Sequence, residues 1–182
     1  MGKGIRSYFE PAWEVVPVVL VATMLTHEIG MYPRLPARIP THFNGAGLPD
    51  GWAAKSPLTV LLLGLICAGF YLLLTGVTFI VVYQKDILKK GRSDVPAEFE
   101  DAARREVIWL MYLMKTLMLG MFLMLDVMGM RVAMGQAHQI SGVAMFGFVG
   151  AILVLVIRMA VRVSALSKAA DAAMKQPGEP IV

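Results

Sequence analysis

The side chains best suited to chemistry are three histidines, His27, His42 and His138, together with Glu28 and Asp126. Imidazole and carboxylate together can hold zinc, copper or another transition metal. His27-Glu28-Ile29-Gly30-Met31 opens like the H-E-x-x-H motif of zinc peptidases, but its fifth position is methionine, so the motif is incomplete. No metal site is therefore assigned; His27, Glu28, His42 and His138 are the residues a metal would use. The alternative is that the histidines cap, hydrogen-bond or sit among lipid headgroups.

A second series is soft: Met111, Met114, Met118, Met121, Met124 and Met128, followed by Met130 and Met134. A thioether ladder can pass cuprous copper, and methionine is equally an adaptable packing residue between helices. Positions 111, 114, 118, 121 and 128 fit a heptad seam, with Leu125 in the gap. Lys115 and Asp126 interrupt the same apolar run. They share a helix face but lie about 16 Å apart, too far to pair. Lys115 can snorkel toward the near interface or pair with Glu14, and Asp126 can meet Arg131 or His27. Glu14, Lys115 and Asp126 are the intramembrane charged candidates, because charge inside a bilayer is costly and therefore purposeful.

Other chemistries are missing. There is no phosphate-binding loop, nucleophile elbow, Cys-x-x-Cys or haem attachment site. The single Cys67 lies in an apolar run and reads as an inert packing thiol. No enzyme, no cofactor and no nucleic-acid partner is expected.

The elements that position these residues are set by hydropathy. Of 182 residues, 57% are hydrophobic and 16% charged, against about 45–50% and 25% in soluble domains. Mean hydropathy is +0.65. This excludes a disordered chain, a coiled coil and a small disulfide scaffold. Runs of about 20 apolar residues are long enough to span a bilayer. Four are found, at about 12–31, 57–83, 106–130 and 140–162. The first follows Lys3 and Arg6 as a signal peptide would, but His27-Glu28 stands where a cleavage site belongs, so a retained span is expected.

Charge orients the spans. Twelve Lys and Arg fall on the side of the termini and the 84–105 connection, against four on the other side. Basic loops stay in the cytoplasm, so both termini are expected inside. Trp13, Tyr83 and Trp109 then mark the inner interface and Tyr32 and Trp52 the outer. Ser93-Asp94-Val95-Pro96 reads as a helix start, with Glu98, Glu100 and Asp101 suited to the positive end of the dipole. Span 3 is thus expected to begin as a solvated helix below the bilayer. Residues 163–182 are expected to form a cytoplasmic tail. Gly64/Ala68 and Gly147/Ala151 are small-xxx-small steps that allow close helix packing, within the chain or in an oligomer.

The external connection 32–56 is longer than two helices need, and long ordered loops are commonly functional. Prolines at 33, 36 and 40 bar a helix, and Asn44-Gly45 and Asp50-Gly51 are turn signals. Within it, Leu35-Pro-Ala-Arg-Ile-Pro-Thr-His-Phe-Asn-Gly-Ala-Gly-Leu-Pro-Asp-Gly-Trp-Ala-Ala-Lys55 resembles the characteristic element of the bacterial DUF1648 family, roughly L-P-x-x-I-P-x-H-[FW]-[ND]-x-x-G-x-P-D-x-[WY]-x-x-K. The resemblance carries over Pro40, His42, Phe43, Asn44, Gly47, Pro49, Asp50 and Lys55 as motif positions. It divides the chain into a DUF1648-like region, 1–83, and a helical pair, 84–182. The family's SdpI group of inner-membrane proteins confers immunity to a secreted killing factor and relays its presence to a repressor.

The expectation is an all-α membrane protein, a four-helix bundle with both termini inside and an ordered Pro/Gly-rich external loop. Its function would be non-enzymatic: binding a peptide or protein ligand outside, in SdpI-like immunity or signalling, in the bacterial inner membrane. The alternatives are an accessory subunit with a membrane-protein partner or as a homo-oligomer, and copper or zinc binding or transport.

Overall fold

In the computed structural model, residues 8, 10–84, 87–88 and 95–175 are described. A 3-10 turn, Pro11–Glu14, leads into α1, Val15–Met31, and a second, Tyr32–Arg34, leaves it. Strands β1, Arg38–Phe43, and β2, Pro49–Ala54, pair antiparallel. Helices α2, Pro57–Tyr83, α3, Ala97–Ala133, and α4, Gly142–Lys175, follow. All four helices are long and apolar enough to cross a membrane.

The start of α2 obeys local rules. The Ser56 side chain accepts a hydrogen bond from the Thr59 N–H at 3.1 Å, and Pro57 occupies the first turn, where its missing N–H costs nothing. The other end of α2 is closed from a distance. Arg104 donates to the carbonyls of Val81 and Val82, at 2.5 and 2.9 Å. Last-turn carbonyls have no intrahelical partner and need such donors.

Helices α3 and α4 overrun the expected spans. At 37 and 34 residues they reach about 55 and 51 Å, well beyond a hydrocarbon core of about 30 Å. Residues 163–175, expected as tail, continue α4. The reason is packing: Val163, Leu166, Ala170 and Met174 lie with Ala103, Phe99, Val95 and Leu88 in an apolar cluster at the termini end. The expected Ser93-Asp94 cap lies outside the described residues; α3 starts at Ala97 with Pro96 at the cap position and no side-chain cap. The Glu100 carboxylate accepts hydrogen bonds from the N–H groups of Ile87 and Leu88, both at 2.9 Å.

Helix α3 is the hub, packed against α1, α2 and α4, and α1 also packs against α2. Met24, Cys67 and Leu119 fill the middle of the bundle. Val82 and Ile108, with Trp13 and Tyr112, fill the termini end. Leu35, Ile39, Val60 and Met130 fill the hairpin end. Helices α2 and α4 form no packed interface with one another.

Candidate functional site

The 32–56 connection, expected as an ordered loop, is a β-hairpin braced on the bundle. Pro33 lies in a 3-10 turn, and only beyond it does the chain extend. A two-stranded hairpin is marginal alone, so its order rests on its attachments. Leu35 and Ile39 are buried against Val60 and Met130. Lys55 clasps the base, its Nζ donating to the carbonyl of Leu35 at 2.8 Å and lying 5.2 Å from the centroid of Tyr32. At the tip, the Asn44 side chain accepts from the N–H groups of Ala46 and Leu48, at 2.9 and 3.2 Å. Gly47 has φ +78°, and a Cβ there would collide with the Ile140 carbonyl. The Ile140 N–H donates to the Gly47 carbonyl at 2.9 Å, fastening the tip to the α3–α4 connection.

The motif positions therefore divide by task. Gly47, Lys55 and the Asn44 side chain build and anchor the turn. Phe43 rests its ring on α3, where a Cβ at Gly129 would meet it at 3.8 Å. Pro40 faces Trp52 across the ladder, and Phe43 faces Pro49. The pairing is irregular on both sides of His42, leaving Thr41 without a register partner. His42 and Asp50 remain on the outer surface, His42 Nδ1 donating to Asp50 Oδ1 at 2.5 Å. Their side chains are 72% and 43% exposed, so the pair is held in shape yet open to solvent.

The intramembrane charges form two separate groups. Near the hairpin end, His27 Nδ1 donates to Asp126 Oδ2 at 2.7 Å. One residue on, Glu28 is fully buried, and its Oε1 accepts from the Gly64 N–H at 2.8 Å. Toward the termini end, Lys115 pairs with Glu14, donates to Thr75 Oγ1 at 3.1 Å, and lies 5.1 Å from the centroid of Tyr71. Of the alternatives open for each charge, the structure has Glu14 for Lys115 and His27 for Asp126. Nothing in the sequence singles out Thr75, Tyr71 or Gly64 as partners. Only their position on a neighbouring span could have suggested them.

The metal residues do not converge. His27 and His42 are each engaged with a carboxylate, and His138 is exposed on the α3–α4 connection. Among the described residues, no three of His, Cys, Asp and Glu gather to hold a metal ion.

Beneath β1 lies a cavity of about 420 Å³. Its walls come from β1, α2, α3 and the start of α4, and they are mainly apolar. Thr41, His42, Thr59 and Asp126 are its polar groups. Cavities of this size and lining are typical of ligand sites.

Residues 18–67, which hold most of α1, the hairpin and the first part of α2, match the family described as "Domain of unknown function (DUF1648)". No curated protein and no solved structure matches the chain.

Proposed function

We propose that this multi-pass membrane protein is a non-enzymatic binding protein of the bacterial inner membrane, with both termini in the cytoplasm. Its hairpin would meet a peptide or protein ligand outside, in SdpI-like immunity or signalling. The observation that supports this reading is the division of labour in the DUF1648 motif. The motif spends several residues on fixing a short hairpin, and that hairpin presents His42 and Asp50 to solvent as a preformed pair. Preorganised surface of this kind lowers the entropy cost of binding. The absence of a catalytic set in the sequence agrees with it.

The test uses a strain lacking the gene, grown in spent medium of its own species. The wild-type chain restores growth, whereas His42→Ala and Asp50→Asn do not, at equal membrane levels. Normal growth of the deletion strain, or full rescue by both variants, would remove the reading.

A second reading, an accessory subunit of a larger membrane complex, is supported by α4. A Cβ added at Gly147 would meet nothing within 4 Å, and Ala151 is exposed, so this small-residue step packs against nothing among the described residues. A stoichiometric membrane partner, retained in mild detergent and lost with Gly147→Leu, would favour it.

A further inference from the structure

We propose that the cavity beneath the hairpin binds an acyl chain of a bilayer lipid, which enters sideways between α2 and α4 from the leaflet on the hairpin side. This stands independently of any ligand at the hairpin surface.

The way in is lateral. Helices α2 and α4 share no packed interface. Leu62 and Ile66, both in the cavity wall, are 49% and 42% exposed on the face that lipid covers. From the aqueous side, β1 stands over the cavity, with Ile39 buried beneath it. A solute from water would have to pass the hairpin; a lipid already lies beside the opening.

The depth suits a leaflet. From the start of α2 at Pro57 to Ile66 is about 13 Å along the helix, and from the end of α3 at Ala133 back to Leu125 is about 12 Å. Half of a hydrocarbon core is about 15 Å. The cavity therefore runs from the interface almost to the bilayer midplane.

The polarity runs the same way. Thr59 lies in the first turn of α2 and Thr41 in the hairpin, so the hydroxyls are at the interfacial end. Below them the wall is apolar except for Asp126, whose Oδ2 is already engaged by His27. The arrangement places headgroup polar atoms against Thr41 and Thr59, with one chain below.

The test is carried out on the full chain in phosphatidylethanolamine–phosphatidylglycerol liposomes. These contain a trace of phospholipid bearing a diazirine midway along one acyl chain. After photolysis, mass spectrometry locates the labelled residues. Labelling within 60–66 and 125–130 is expected to exceed that at Leu72 and Leu153, which face lipid elsewhere, by at least tenfold. Gly129→Leu grows into the cavity, since a Cβ there meets only the Phe43 ring, and leucine is the better helix former. It should remove that excess and leave Leu72 and Leu153 labelled as before. Ile66→Trp, at the exposed lateral mouth and away from the core, should do the same. Cavity labelling equal to that at Leu72 and Leu153 would overturn the proposal. So would labelling that survives both variants. A cavity unlabelled by lipid, in which Gly129→Leu abolishes rescue in spent medium, would assign it to a peptide side chain instead.

Discussion

At residue 64 a carboxylate stands where a side chain would have to go. The Gly64 N–H donates to Glu28, and a Cβ on Gly64 would strike both that carboxylate and a Leu25 methyl. Overpacking of this kind costs about 1–3 kcal/mol. Gly64→Leu is therefore expected to lower the Tm in mild detergent by roughly 3–10 °C. Gly69→Leu, in the same helix with nothing within 4 Å, is the control and should leave the Tm nearly unchanged. Lys115 makes the complementary case. Its side chain is 1% exposed and held by Glu14, Thr75 and the Tyr71 ring. Lys115→Met leaves the Glu14 carboxylate without its cation; the loss is at most that of a fully buried pair, about 3–5 kcal/mol, because the Glu14 side chain keeps 20% exposure. Adding Glu14→Gln removes the stranded charge and should recover most of the loss in a thermal melt. A double variant as unstable as the single one would show that Lys115 acts through packing rather than through charge.

At the scale of elements, the hairpin is held by the apolar contact of Leu35 and Ile39, the Phe43 ring on α3, the Lys55 clasp, and the Gly47–Ile140 bond. The last admits no side chain, because Gly47 combines a positive φ with a carbonyl in the path of a Cβ. Gly47→Val is expected to raise amide exchange at least tenfold in the tip, 44–48, and less at 38–40 and 52–54. The helices should keep their protection. Uniform loss of protection across the bundle would mean that the hairpin is part of the global core. The long α3 and α4 follow a similar logic at the opposite end. Their extensions continue because Ala103, Ala170, Leu88 and Val95 give them something to bury.

For the whole molecule, the charge asymmetry predicts a topology that can be read directly. The lone cysteine, Cys67, is fully buried, so cysteines added elsewhere report without background. Ala46→Cys at the exposed hairpin tip should react with a membrane-impermeant maleimide in intact cells. Ala169→Cys, exposed near the far end of α4, should react only after permeabilisation. The reverse pattern would invert the chain and, with it, the external ligand reading. Helix α4 is the outlier of the bundle. It packs against α3 along one side, while Phe146, Leu153, Val154, Ile157 and Val161 are each more than half exposed.

By itself the sequence determined four membrane-length helices, because hydropathy over about 20 residues is a local property that no tertiary contact needs to complete. It also determined where α2 begins, since Ser56-Pro57 carries its own cap. The motif in 35–55 marked the segment at the centre of the family match, 18–67. That the segment would be a hairpin was less legible. Pro40 and Pro49 argue against strands in a larger sheet, but in a two-stranded one each strand is an edge, and the missing N–H can point away from the ladder. The partners of Glu28, Asp126 and Lys115 were decided only by the tertiary structure. His27 and Asp126 lie 99 positions apart, and Lys115 and Glu14 101. Which faces meet depends on how three helices rotate against one another, and that rotation is settled jointly by packing at Gly64, Met24 and Leu119. The cavity has the same origin: its walls come from β1, α2, α3 and the start of α4, an outcome of packing that no single segment encodes.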